Sequence, residues 1–299
     1  MRVPTELYPF EGQYLDLDGL QYHYLDEGRG EPVVMVHGNP TWSFYWRTLV
    51  LGLRDRYRTI VPDHIGCGLS DKPDDTLYEY SFARRAFDLE RLIDQLDPPQ
   101  KLTLVVHDWG GMIAMTYAVR HPERIGRIVL LNTSAFHLPE AKPFPRPLWL
   151  VRDTPVGSLL VRGFNAFAYG ASKIAFESDV PAEVRKAYRA PYDSWSNRIA
   201  TLRFVQDIPL KPADRGYDLI TEVDGKLDLF ADIPVLICWG AKDFVFDDHF
   251  LAGWTERWPH AQVHRFEDAG HYVMEDAADR IVPLVREFLA ANPLPREVE

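Results

Sequence analysis

The sequence predicts an α/β fold with a mostly parallel central sheet, helices on both faces and an inserted helical cap. Three observations carry this. Short apolar runs rich in β-branched residues alternate with stretches of helical periodicity. The runs are apolar throughout rather than alternating, as strands buried on both faces require. From about residue 137 to 229 strand-like runs become few, and the strand–helix rhythm resumes at Ile233. The chain therefore divides into a core, 1–136 with 230–299, and a helical insertion, 137–229; its 299 residues suffice for a full core.

In order, residues 12–27 read as two strands joined by a tight turn at Asp18-Gly19. Pro32 to Val36 is a buried strand, ending in His37-Gly38-Asn39-Pro40-Thr41-Trp42. Phe44 to Leu53 follows as helix and Arg58 to Pro62 as strand. The glycines and proline of Asp63-His64-Ile65-Gly66-Cys67-Gly68-Leu69-Ser70-Asp71-Lys72-Pro73 mark a loop. Ser81 suits the N-cap of a helix to about Leu96, where Phe82, Ala86, Leu89 and Ile93 recur at helical spacing. Residues 101–107 form the central strand, a helix follows Asp108 to about Arg120, and Ile125 to Leu131 is another strand. In the insertion, Pro155 to Tyr169 and Pro181 to Tyr188 read as helices. Beyond it come a strand at Pro234 to Trp239, a helix at 247–257, a strand at Gln262 to Phe266 and a closing helix from Glu275 to Ala290. Asn292-Pro293-Leu294-Pro295 reads as a frayed tail.

The chemistry centres on Val106-His107-Asp108-Trp109-Gly110-Gly111. Strand, sharp turn and helix make a nucleophile elbow, whose bend residue is held exposed on strained backbone. Here that residue is Asp108, where most hydrolases of this build carry Ser. Asp243 and His271 each follow a later strand, which completes the order nucleophile, acid, histidine. Asp247 and Asp248 are rivals for the acid. Each residue alone has an ordinary use: Asp108 as a helix cap, Asp243 as a turn residue, His271 as a loop histidine. All three in order at strand ends point to function. A carboxylate is already anionic at neutral pH and needs no base for a first attack on carbon. His271, oriented by Asp243, can then activate water against the resulting ester. Asn39 and Trp109 sit at the two loops that flank such an elbow, and both side chains carry N–H donors for an anionic leaving group.

The composition narrows the alternatives. A net charge of −11 argues against non-specific nucleic-acid binding. Two cysteines, Cys67 and Cys238, imply no disulfide framework and fit a reducing compartment. The opening Met1-Arg2-Val3-Pro4-Thr5-Glu6 has no apolar signal core, and no apolar stretch is long enough to span a bilayer, so a cytoplasmic location is expected. No clustered His/Cys/carboxylate spacing suggests a metal, and no cofactor is expected.

His37-Gly38-Asn39-Pro40-Thr41, Gly66-Cys67-Gly68-Leu69-Ser70-Asp71-Lys72-Pro73 and His107-Asp108-Trp109-Gly110-Gly111 resemble the motifs of haloalkane dehalogenases, a family of the α/β-hydrolase fold. The resemblance covers nearly the whole chain. It implies Asp108 as nucleophile, His271 as base and Asn39 with Trp109 as the leaving-group clamp. One branch of the family places its acid after the strand ending Leu131-Asn132; Asn132 is not an acid, so Asp243 supplies it. Asp63-His64-Ile65-Gly66-Cys67-Gly68 and Ala135-Phe136-His137-Leu138-Pro139, with Lys142-Pro143, look more closely like the branch holding β-lactone decarboxylases of bacterial long-chain olefin synthesis. That implies a cis-β-lactone with two alkyl chains as substrate and an alkene and carbon dioxide as products; a water-insoluble intermediate would gain from handover, so an assembly with the enzyme that makes the lactone is expected. Arg198 aligns with a family arginine near the site and can pair with a substrate carboxylate or form a surface salt bridge. Trp149, Leu150, Leu159, Leu160, Phe164 and Phe167 suit either an alkyl-chain channel or plain core. Among other readings, an esterase lacks its Ser. An epoxide hydrolase would draw on cap tyrosines such as Tyr169, Tyr188 or Tyr192. A catalytically silent ligand receptor sits badly with a complete triad.

Overall fold

A computed structural model describes residues 3–295; Met1 and Arg2 of the N-terminal stretch considered above lie outside it. Eight strands form one sheet: β1 (Gln13–Leu17), β2 (Leu20–Glu27), β3 (Glu31–Val36), β4 (Tyr57–Pro62), β5 (Leu102–Asp108), β6 (Ile125–Thr133), β7 (Val235–Gly240) and β8 (Gln262–Phe266). Their spatial order is β1-β2-β4-β3-β5-β6-β7-β8. All pairings from β4 to β8 are parallel; the β1–β2 hairpin adds an antiparallel edge. Its turn has positive φ at both Asp18 and Gly19, 59° and 90°, which matches the twist of a two-residue hairpin.

The period of two along each strand makes two cores. Val34, Val36, Leu104, Val106, Ile128 and Leu130 face one layer, with Leu89, Met112 and Trp254. Val33, Met35, Val105, Val129 and Leu131 face the other, with Leu49, Val50, Val285 and Phe288. The helices that supply these residues are α1 (Arg47–Leu53), α2 (Phe82–Leu96), α3 (Trp109–Ala118), α10 (Asp248–Arg257) and α12 (Ala278–Ala291). Both faces are covered, which is why the strand sequences are apolar without alternation. Ser81 caps α2 by accepting the Arg84 N–H at 3.1 Å.

Between β6 and β7 lie six α-helices and no strand: α4 (Arg146–Asp153), α5 (Pro155–Phe164), α6 (Ala166–Ile174), α7 (Ala182–Arg189), α8 (Ile199–Gln206) and α9 (Tyr217–Asp224). They are tied to the core by buried polar contacts. Tyr188 donates its hydroxyl to Glu275, whose carboxylate also holds Arg47 at 2.5 and 2.8 Å. Asp207 accepts the Phe82 N–H at 2.6 Å.

Three expectations need correction. Residues 155–169 are not one helix: Asn165 adopts the left-handed conformation, φ 55°, and its amide donates to the Tyr192 carbonyl, so α5 ends there and α6 begins. The closing helix is likewise two pieces, α11 (Val273–Asp276) and α12, broken at Ala277. The tail is docked, not frayed. Buried Arg127 holds the Asn292 carbonyl at 2.7 Å and pairs with Glu31 at 2.7 Å; Glu31 accepts the Leu294 N–H, and the Leu294 side chain is buried.

Candidate active site

The sheet reverses its winding at β3: β4 lies on one side of it and β5 on the other. The loops after β3 and β5 therefore face each other across the crevice where such sheets bind ligands. The Asn39 N–H donates to Asp108 Oδ1 at 2.6 Å across that gap. Asp108 sits at φ 52°, ψ −128°, a conformation costly for any residue with a side chain, and α3 begins at the next residue. Close packing fixes this elbow. A Cβ at Gly110 would lie 2.0 Å from the Val36 carbonyl oxygen, and one at Gly38 would lie 1.9 Å from Asp108 Oδ1.

His271 Nδ1 lies 2.7 Å from Asp243 Oδ2, and Nε2 lies 3.7 Å from Asp108 Oδ2. Because the carboxylate accepts, Nδ1 carries the proton and Nε2 faces the elbow. Asp243 Oδ1 accepts the N–H groups of Val245 and Phe246 at 2.7 and 3.1 Å, which locks its orientation. The rivals are engaged elsewhere: Asp247 caps α10 and pairs with Lys142 at 2.6 Å, and Asp248 pairs with Arg265.

Burial pushes the Asp108 carboxyl above its ordinary range, against the pull of His271 and of the Asn39 and Trp109 backbone N–H groups. For His271, burial pulls down, but Asp243 and then Asp108 outweigh it, so the imidazolium is favoured more than in water. Asp108 Oδ1 is thus held by the Asn39 N–H, and Oδ2 faces the histidine.

Above the elbow is a cavity of about 430 Å³, bordered by Asn39, Asp108, Trp109 and His271 and otherwise mostly by apolar side chains of the core loops and the inserted helices. Asn39 Nδ2 donates one hydrogen to the Thr201 carbonyl on α8 at 3.1 Å, which leaves its second for a ligand. The indole of Trp109 borders the same space, its ring centroid 5.8 Å from that of Phe204. Of the six apolar residues singled out in the insertion, Leu150, Leu160 and Phe167 line the cavity; Trp149, Leu159 and Phe164 face solvent and serve neither channel nor core.

Arg198 does not border the cavity. Its guanidinium donates to the carbonyls of Tyr192, Arg162 and Gly163, stitching the inserted helices together, and among the described residues no carboxylate pairs with it. The tyrosines that an epoxide hydrolase would need are also elsewhere. Tyr188 is bonded to Glu275, Tyr192 to the Thr41 carbonyl, and Tyr169 is half exposed.

Several supporting residues carried no role in the sequence reading. Asn132, at φ 34°, accepts the Gly240 N–H at 2.7 Å and donates to the carbonyls of Gly240 and Phe246, strapping both ends of the loop that bears Asp243. His107 Nε2 donates to the His271 carbonyl at 2.8 Å; burial keeps this imidazole neutral. Buried Asp63 pairs with His23 and accepts the N–H groups of Ser43 and Leu69, while His64 donates to the His37 carbonyl. The Asp63–Gly68 motif therefore braces the Asn39 loop. Asn132 and His107 stood in motifs already noticed, but only the fold reveals their partners.

A protein-family model described as alpha/beta hydrolase fold matches residues 31–278. The chain is 57% identical over 284 residues to a cis-3-alkyl-4-alkyloxetan-2-one decarboxylase of Shewanella oneidensis, covering 95% of this chain and 89% of that one. It is 50% identical to a protein of the same name from Xanthomonas campestris pv. campestris, covering 96% and 98%. The haloalkane dehalogenase DbeA from Bradyrhizobium elkani superposes with a TM-score of 0.84 at 27% identity, covering 94% of this chain and 98% of that one. With this match over most of its length, and with an acid on the elbow, the chain belongs to the α/β-hydrolase family and, within it, to the group that unites these decarboxylases and haloalkane dehalogenases.

Proposed function

We propose that this protein is a cis-3,4-dialkyl β-lactone decarboxylase in which Asp108 opens the ring. The observation that carries this is the division of labour on one carboxylate: Oδ1 is held by the Asn39 N–H, and Oδ2 faces His271 beneath a mostly apolar cavity. The 57% and 50% identities to named decarboxylases support the choice of substrate class.

Asp108 Oδ2 attacks the ring carbon that bears the ring oxygen. That C–O bond breaks, its electron pair stays on oxygen, and the ring carbonyl becomes a free carboxylate. The side-chain N–H groups of Asn39 and Trp109 receive this charge. The Asn39 N–H holds the carbonyl oxygen of the new ester. Carbon dioxide then leaves, the electron pair of its C–C bond forms the alkene, and the Asp108 carboxylate departs. His271, held as imidazolium by Asp243, pairs with the carboxylate as it re-forms. Inversion on attack followed by anti loss turns a cis-lactone into a cis-alkene. No water is consumed and Asp108 is restored.

The decisive experiment incubates the protein with a synthetic cis-dialkyl β-lactone and, separately, with a 1-haloalkane, and measures alkene, carbon dioxide and halide. Alkene from the lactone is expected. Halide release without alkene would assign the site to carbon–halogen hydrolysis instead.

The same reading makes the substrate poorly soluble, so direct handover from the enzyme that closes the lactone ring is favourable, in the cytoplasm that two buried free thiols suit. Copurification of the two enzymes tests this. Among the described residues no helix is long and apolar enough to cross a membrane.

A further inference from the structure

A helix that covers a cavity with one face should be polar on the other. Helices α4 to α6 are not. Their inner side gives Leu150, Leu160 and Phe167 to the cavity. Their outer side carries Trp149, Val156, Leu159 and Phe164, all more than half exposed and Phe164 71% exposed, with Ile174 at the end of α6. Along α5 the helical period places Val156, Leu159 and Gly163 on one stripe. The stripe continues onto Trp195, because the Cβ direction of Gly163 points to Leu159 at 3.4 Å and to Trp195 at 3.8 Å.

Along helices α4–α6 basic residues outnumber acidic ones. Residues 146–174 carry Arg146, Arg152, Arg162 and Lys173 against Asp153, in a chain whose net charge is −11; Arg152 is spent on Asp153 and Asp214, which leaves Arg146, Arg162 and Lys173 for a ligand, with Asp193 the acid beside Trp195. Arg162 lies 4.7 Å over the Trp195 ring, and Arg189 lies 5.0 Å over Tyr169. Aromatic and aliphatic side chains interleaved with cations on short helices are the composition of a segment that lies in a lipid headgroup layer. A second copy docked face to face would set these cations against their own kind. The patch also meets the cavity: Ile174 both lines it and is 61% exposed.

We propose that the outer face of α4–α6 with Trp195 docks on an anionic bilayer surface, so that the cavity mouth opens toward the apolar phase. The bilayer holds the face by burial of Trp149, Leu159 and Phe164 and by lipid phosphates around Arg146, Arg162 and Lys173. Docking requires no turnover, so it stands or falls independently of the reaction assigned above.

The test is flotation of the full chain with vesicles of phosphatidylcholine alone and of phosphatidylcholine with phosphatidylglycerol. Binding to the anionic vesicles is expected, with weaker binding to the neutral ones and release by salt. The double variant Leu159→Ser, Phe164→Ser should bind at least about tenfold more weakly, with an unchanged circular dichroism spectrum. Arg146→Glu with Lys173→Glu should abolish the preference for anionic lipid. No binding to either vesicle, or binding that neither double variant changes, would overturn the proposal. Sedimentation velocity adds another overturning outcome: a wild-type dimer that Leu159→Ser, Phe164→Ser dissociates would assign the face to a second copy of the chain.

Discussion

His271 Nε2 lies 3.7 Å from Asp108 Oδ2, too far for a direct hydrogen bond and near enough for strong electrostatic coupling. At that spacing His271 lowers the pKa of the Asp108 carboxyl and Asp108 raises that of the imidazole, against the opposing push of burial on each.

Asp108→Asn should abolish turnover, by about 10⁴-fold or more, and should also stabilise the protein. The Asp108 carboxyl is raised by burial, so its charged form costs folding energy. That cost is fully present above the raised folded value and vanishes below the ordinary carboxylate range. The variant should therefore melt higher at pH 7, with the difference shrinking toward about pH 4. Thermal melts across pH and an alkene assay check both parts. Retained turnover would remove Asp108 from the nucleophile's role.

His271→Ala should trap the ester on Asp108. Mass spectrometry of the 102–118 region after lactone exposure is expected to show an adduct with the mass of the intact substrate. In wild type turning over lactone in ¹⁸O-water, Asp108 should stay unlabelled, because decarboxylation expels it without hydrolysis. Label in Asp108 would mean that water attacks the ester.

Asp243→Asn should lower the His271 pKa, since Asp243 outweighs the downward push of burial. The raised value means that protonated His271 stabilises the fold at low pH and loses this contribution as pH rises through it. The variant should lose that pH dependence and about 10²–10⁴-fold in kcat. NMR titration of the His271 ring and melts from pH 5 to 9 test it.

Trp109→Phe keeps an aromatic ring beside Phe204 and removes only the indole N–H. If that N–H stabilises the developing carboxylate, kcat should fall about 10²-fold or more with KM little changed. Asn39→Ala should act similarly. A change confined to KM would make Trp109 a packing residue.

Asn132→Ala should loosen the Asp243 loop by removing three hydrogen bonds to Gly240 and Phe246. A loss of about 1–3 kcal/mol is expected for the unpaired groups, with a matching fall in kcat. Chemical denaturation and a steady-state assay measure them.

The sheet and the elbow were legible because their signals are local. An apolar run ending at Asp108 before two glycines states strand, bend and helix within ten residues. The break at Asn165 was not, since an asparagine that turns left-handed looks like any helix interior until the Tyr192 carbonyl that holds it is known. The tail was misread for the same reason: Arg127 and Glu31, which hold it, lie more than 160 residues away in sequence. Arg198 reads in sequence as either a ligand-binding charge or a surface salt bridge, and only the fold shows its Nε and Nη1 donating to backbone carbonyls. Asn132 was visible as a missing acid, but its strapping of β7 to the Asp243 loop depends on strand order.

The bond from the Asn39 amide to the Thr201 carbonyl makes the setting of that side chain a joint product of the loop after β3 and the inserted helix α8. A laboratory chimera that imports the lid of a dehalogenase must therefore bring a matching acceptor on its own version of α8. Without one, the imported helices would leave the asparagine free to rotate, and the hybrid would bind its ligand yet stabilise the developing anion poorly. Substrate range in this lineage is then expected to change by exchange of whole lids together with that acceptor.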